Sequence, residues 1–180
     1  YGNDPYTNHS QKIISEFFDK KVYVRYVTSG TASNSIALSA ICPPFGGILC
    51  SDSSHLDKDE CGAPEFFTGG AKLINVPTSN GLITLANLKS IINNFGLHGI
   101  HEVKLSVLGL TQISELGTIY PIEQLRALTK FAHNKQLRVH MDGARFANAC
   151  ASLDCKPSEI TWKSGVDILS LGATKNGAMA

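Results

Sequence analysis

The sequence predicts an α/β fold, a mostly parallel sheet with helices on both faces, and three observations carry that expectation. Short apolar runs of strand length alternate with segments whose apolar residues recur at helical spacing, from one end of the chain to the other. Hydrophobic residues make up 43% of the 180 and charged residues 17%, enough to bury a sizeable core. No repeat at solenoid spacing and no stretch rich in proline, glycine or serine divides the chain, so one domain is expected.

The elements follow in order. Over 7–20, Ile13, Ile14, Phe17 and Phe18 fall on one face behind polar starters and predict a helix, with a short strand expected over 22–27. Thr28-Ser29-Gly30-Thr31 turns into a helix carrying Ile36, Leu38 and Ile41, which Pro43-Pro44 ends because proline cannot donate to the helix ladder. A strand near 47–50 leads into a polar loop reaching Gly70, and then come strand 72–76, helix 85–93 and strand 104–110. Pro121 suits the first turn of a helix running to about His133, and strand 137–141, helix 144–153 and strand 166–171 complete the pattern. Such strands lie largely buried in a parallel sheet.

Composition excludes several partners. With 16 basic and 15 acidic residues the formal charge is +1, and no basic run is interleaved with aromatics, so neither nucleic acid nor an anionic membrane gains an electrostatic advantage. Apolar runs are broken within a few residues by glycine, proline or lysine, too short to span a bilayer. Cys42, Cys50, Cys61, Cys150 and Cys155 are an odd number without metal-ligand spacing and read as reduced thiols of a cytoplasmic protein. The partner expected is a small molecule. Tyr1 at the start, and Ala180 following a strand and turn, lead to the expectation of a chain cut at both ends.

In open α/β sheets ligands bind beyond the carboxyl ends of strands, and Ser29-Gly30-Thr31, the 53–55 loop with His55, Gln112, Asp142 and Lys175 all follow predicted strands. Asp142 and Lys175, one β-α-β unit apart, are what a pyridoxal phosphate enzyme needs: an amine for a Schiff base with the cofactor aldehyde, and a carboxylate that keeps the pyridine nitrogen protonated. Each residue also has a plain structural reading. Ser29-Gly30-Thr31 is a phosphate cup at a helix N-terminus or an ordinary helix cap. His55, in an acidic run, is a ring-stacking or proton-relaying imidazole, a metal ligand, or part of a solvated loop, although the spacing of its neighbours matches no ordered metal motif. Asp142 needs a cationic partner if buried, and Arg145 offers a structural pair or a fork for a substrate carboxylate. Lys175 is a nucleophile with a lowered pKa or a surface-turn lysine.

Taken together, Tyr1-Gly2-Asn3-Asp4-Pro5, Ser29-Gly30-Thr31, His55 with Glu60-Cys61-Gly62-Ala63-Pro64-Glu65, Thr111-Gln112-Ile113-Ser114-Glu115-Leu116-Gly117-Thr118, His140-Met141-Asp142-Gly143-Ala144-Arg145 and Gly172-Ala173-Thr174-Lys175-Asn176-Gly177 resemble, in this order, the threonine aldolase and β-eliminating lyase family of fold-type I pyridoxal phosphate enzymes. The resemblance covers nearly the whole chain. It implies the large cofactor domain of the aspartate-aminotransferase-like fold, with His55 stacked on the pyridine ring, Asp142 on its nitrogen and Lys175 carrying the Schiff base. It further implies that Ser29, Gly30 and Thr31 hold the phosphate, that Gln112 and Arg145 also bind the cofactor, and that Tyr1 and Arg145 meet the substrate. The implied reaction is retro-aldol cleavage of L-threonine, L-allo-threonine or a related β-hydroxy amino acid to glycine and an aldehyde, with no metal. It implies a homodimer or homotetramer whose active site lies at the subunit interface, and a small C-terminal domain absent from this sequence. The alternatives are another β-eliminating lyase or aminotransferase using the same cofactor, or a noncatalytic protein on the same fold.

Overall fold

The computed structural model describes Gly2 and residues 4–179. Its five strands, β1 (Gly46–Ser51), β2 (Lys72–Val76), β3 (Lys104–Thr111), β4 (Arg138–Gly143) and β5 (Ile168–Leu171), form one parallel sheet in the order β2-β1-β3-β4-β5. The chain runs outward from β1 to β2 and then returns to build the other side from β3. That reversal makes the carboxyl ends of β1 and β3 the switch point where ligands of open sheets bind. The helices are α1 (Pro5–Phe17), α2 (Gly30–Ile41), α3 (His55–Lys58), α4 (Ala63–Phe67), α5 (Leu85–Asn93), α6 (Ile122–Asn134) and α7 (Phe146–Leu153).

Strand alternation divides the core between the two faces. Leu49, Leu108, Leu110, Val139 and Met141 point to one face, where they pack with Leu88 of α5, Leu125 and Leu128 of α6, and Phe146 and Ala149 of α7. Ile48, Cys50 and Val107 point to the other, under Leu38 of α2 and Leu56 of α3. His140 and Asp142 alternate with Val139 and Met141 along β4, so they share the α2 face. The smaller of the two apolar layers therefore carries the chemistry.

Three expectations change. The 22–27 stretch is extended yet pairs with no strand, and Tyr23 and Tyr26 stand exposed. Its β-branched and aromatic residues suit a pleated, half-buried surface, but this stretch is not in the sheet, and Tyr26 instead hydrogen-bonds Ser10 at 2.5 Å. The polar loop to Gly70 contains α3, whose Leu56 N–H donates to the Ser54 hydroxyl, and α4, which starts at Ala63 and carries Pro64 in its first turn. Both helices are too short to show periodicity. The helix expected from 144 begins at Phe146, because Ala144 and Arg145 form the turn leaving β4.

Two glycines bring the loops after β4 and β5 together. A Cβ on Gly143 would lie 2.9 Å from the Ser170 carbonyl oxygen, and one on Gly172 would lie 3.2 Å from the Ala144 Cα. The five cysteines form no disulfide, and among the described residues no helix is long and apolar enough to cross a membrane.

Candidate active site

Asp142 ends β4 beside Thr111 of β3 and Ser170 of β5, and is only 6% exposed. Its Oδ1 accepts from the Ala144 N–H at 2.9 Å, which turns the chain, and its Oδ2 accepts from Asn34 Nδ2 at 2.9 Å. Among the described residues no lysine or arginine pairs with it. The expected Asp142–Arg145 pair does not form, and Arg145 sits half-buried at the N-cap of α7. A buried carboxylate held by two neutral donors still favours a positive charge nearby.

Asn34 projects from the second turn of α2, just past Ser29, Gly30 and Thr31. The Ser29 hydroxyl caps the helix by accepting from the Ala32 N–H at 3.1 Å, and a Cβ on Gly30 would meet nothing within 4 Å. The N-terminus of α2 thus presents N–H groups to open space, close to the end of β4, where the helix dipole favours an anion. The same Asn34 Nδ2 donates to Glu60 Oε1 at 2.7 Å, and that oxygen also meets His55 Nδ1 at 2.9 Å. The Glu60 side chain is fully buried, and burial raises its pKa against the hydrogen bonds from Asn34 and His55 that lower it. The His55 side chain is 35% exposed, and its backbone N–H donates to Glu115 Oε1 at 2.8 Å, tying α3 to the loop after β3.

His55, Glu60 and Asp142 each offer a ligand atom, and these lie within 4.8 Å of one another, a cluster that could hold a metal ion. Asn34 has already filled it: both carboxylates take hydrogens from one amide nitrogen, the position a cation would compete for. The structure is better described as a polar chain, His55 to Glu60 to Asn34 to Asp142.

Lys175 lies exposed in a short 3-10 turn, Thr174–Asn176, after β5. Its neighbour Asn176 fastens that turn to the Asp142 loop, donating from Nδ2 to the Gly172, Ala144 and Gly143 carbonyls at 2.5, 3.2 and 3.4 Å and accepting from the Ala147 N–H at 2.7 Å. The lysine is therefore positioned by the residue beside it. Gln112 is buried, but its side-chain amide is occupied at both ends by the backbone of Tyr120, at 3.1 and 3.0 Å, which leaves it a structural tie instead of a ligand-facing group. Tyr1 lies outside the described residues.

Sequence reasoning brought His55, Asp142 and the start of α2 to one place, and left Asn34, Glu60, Glu115 and Asn176 without roles. Four polar residues inside or beside apolar elements were the available signal.

The comparisons agree with this architecture. The β-eliminating lyase family model matches residues 1–180. The chain is 42% identical over 177 residues to the low specificity L-threonine aldolase of Pseudomonas aeruginosa, covering 98% of this chain and 51% of that protein. It spans about half the length of two Pseudomonas relatives it matches. The Leishmania major threonine aldolase structure superposes with a TM-score of 0.88 at 27% identity, over 99% of this chain and 51% of that one. An archaeal alanine:glyoxylate aminotransferase shares the fold alone, with a TM-score of 0.70 at 14% identity over 95% of this chain and 42% of that one. The family and its fold neighbours are pyridoxal phosphate enzymes. A match over the full length, on a sheet whose carboxyl edge carries Asp142 and Lys175, makes the chain a member of the β-eliminating lyase family.

Proposed function

We propose that this chain forms the cofactor domain of a pyridoxal phosphate-dependent lyase that cleaves L-threonine, L-allo-threonine and related β-hydroxy-α-amino acids to glycine and an aldehyde. The observation that carries the reading is Asp142, a buried carboxylate with two neutral donors and no basic partner among the described residues. The donor set fits the cofactor: a carboxylate for a protonated ring nitrogen, a helix N-terminus for a phosphate, and a lysine amine for an aldehyde.

When bound, pyridoxal phosphate supplies an electron sink for the pair released from a bond at the substrate Cα. Asp142 holds the ring nitrogen in its charged form, and its own hydrogen bonds from Asn34 and Ala144 fix where that charge sits. Ser29, Gly30 and Thr31 take the phosphate at the start of α2. Lys175 anchors the cofactor aldehyde, and Asn176 keeps its turn against the loop after β4. Arg145, free of any ion pair among the described residues, takes the substrate carboxylate through its planar fork. Cleavage breaks the Cα–Cβ bond and frees the β-hydroxyl proton, and His55, which joins the buried chain at one nitrogen and is partly exposed, lines the place where that proton leaves.

The relatives' length supports further chain completing the site in the whole protein. Exposed aromatic side chains, Tyr23, Tyr26, Phe66 and Phe67 among them, support burial against another subunit, and five unpaired thiols support a cytoplasmic setting. The test is product analysis of the complete protein with threonine and allo-threonine. Glycine and acetaldehyde in equal amounts are expected; a 2-oxo acid, or no glycine, overturns the assignment.

A further inference from the structure

We infer that Glu60 and Asn34 act as a positioning pair that sets the proton of the His55 ring, placing hydrogen on Nδ1 and leaving Nε2 with a free lone pair; this rests on the reading of the site given above. The geometry is a chain of fixed directions. Asn34 lies 2% exposed between two carboxylates, and only its NH2 end can face both Glu60 Oε1 and Asp142 Oδ2, since a carbonyl there would oppose two acceptors. That orientation leaves Asn34 Oδ1 buried without a partner, a burden the chain accepts to keep both amide hydrogens on the carboxylates.

Glu60 Oε1 already receives the Asn34 hydrogen at 2.7 Å. An oxygen that carried a proton of its own would be a poor acceptor, so at the 2.9 Å contact it is His55 Nδ1 that donates. A neutral imidazole has one N–H, and with it on Nδ1 the acceptor is Nε2. Nε2 makes no hydrogen bond among the described residues. Of the acidic groups here, Glu60 meets a ring nitrogen, Asp142 lies in the same cluster, and Glu115 takes the backbone N–H. Left to itself, a histidine distributes its proton over both nitrogens; a fixed partner on one nitrogen decides which is used.

Nitrogen NMR of the His55 ring in the complete protein, without added cofactor, tests the pair independently of turnover. In the wild type with a neutral ring, Nδ1 is expected to give a protonated-type signal and Nε2 a lone-pair-type signal. Glu60→Gln, whose carbonyl still accepts, keeps that pattern and holds threonine cleavage within about 10-fold of wild type. Glu60→Ala lets hydrogen move to Nε2 and lowers kcat by about 10²-fold or more, with less change in KM. A wild-type ring protonated on Nε2, or a Glu60→Ala ring whose spectrum is unchanged, overturns the inference. An Nδ1–H ring in a protein that forms no glycine would uphold the pair while removing the aldolase reading.

Discussion

Asp142 lies at the carboxyl end of β4 and Lys175 just beyond the neighbouring β5, yet the two live in opposite surroundings. Asp142 is buried, has a donor on each oxygen, and belongs to a polar chain reaching Asn34, Glu60 and His55. Lys175 is exposed, and Asn176 beside it holds the turn in place. Under the proposed function, the difference follows from what each group would do. A carboxylate that stabilises charge works best dry and preorganised, where its field is least screened. An amine that must form and break a covalent link needs room to move, so its surroundings fix the backbone and leave the side chain free.

Removing either end of the comparison should have the largest effect. Lys175→Ala is expected to lower kcat/KM for glycine formation by more than about 10³-fold, and Asp142→Asn by about 10²- to 10³-fold. The two should separate in cofactor chemistry, because only the lysine variant loses covalent attachment. Steady-state kinetics with absorbance spectra of both variants checks this; equal loss of attachment in both would erase the distinction between the halves.

A smaller effect is expected where the exposed half is held. Asn176→Ala removes the contacts to Gly143, Ala144 and Gly172 while leaving Lys175 in place, and should reduce kcat by about 10- to 100-fold, since small misplacements of a reacting group are costly. Kinetics at saturating cofactor measures it. An unchanged kcat would mean that Gly172 packing on Ala144 positions the lysine turn without the asparagine.

The mildest test concerns the buried half and pH. His140, on the Asp142 face of β4, is fully buried, and burial pushes its pKa down to about 4, with the Asp142 charge working in the other direction. The unfolded chain binds a proton near pH 6.5 and the folded one does not until about pH 4, so this residue's contribution to stability is present above 6.5 and is lost as pH falls between those values. Denaturation midpoints across that range should fall toward acid, and His140→Gln should flatten the slope. Glu60 works in the opposite sense: burial raises its pKa, so its ionisation weakens the fold as pH rises through the carboxylate range.

Local pattern made much of the fold legible. Helix α5 and strand β2 fall where expected because Thr84 caps the helix and Gly69-Gly70 punctuate the chain just before the strand. The 22–27 stretch misled because strand propensity says nothing about whether a sheet edge is there to receive it. Asp142, Lys175 and His55 were visible as polar residues at strand ends, and the Ser29 turn as a polar start to a helix. Asn34 was not, since its partner Asp142 is 108 residues away and no local period encodes such a contact. Gln112 misled for a different reason: its position after β3 is as expected, but its amide turns back to the backbone of Tyr120, eight residues on.

The buried Asp142 and the exposed Lys175 are proposed to serve one cofactor. Borohydride reduction of the complete protein with pyridoxal phosphate, followed by peptide mapping, tests it most directly. A single pyridoxyl adduct on Lys175, absent from Lys175→Ala, is the predicted result; an adduct on another lysine, or none at all, would contradict it.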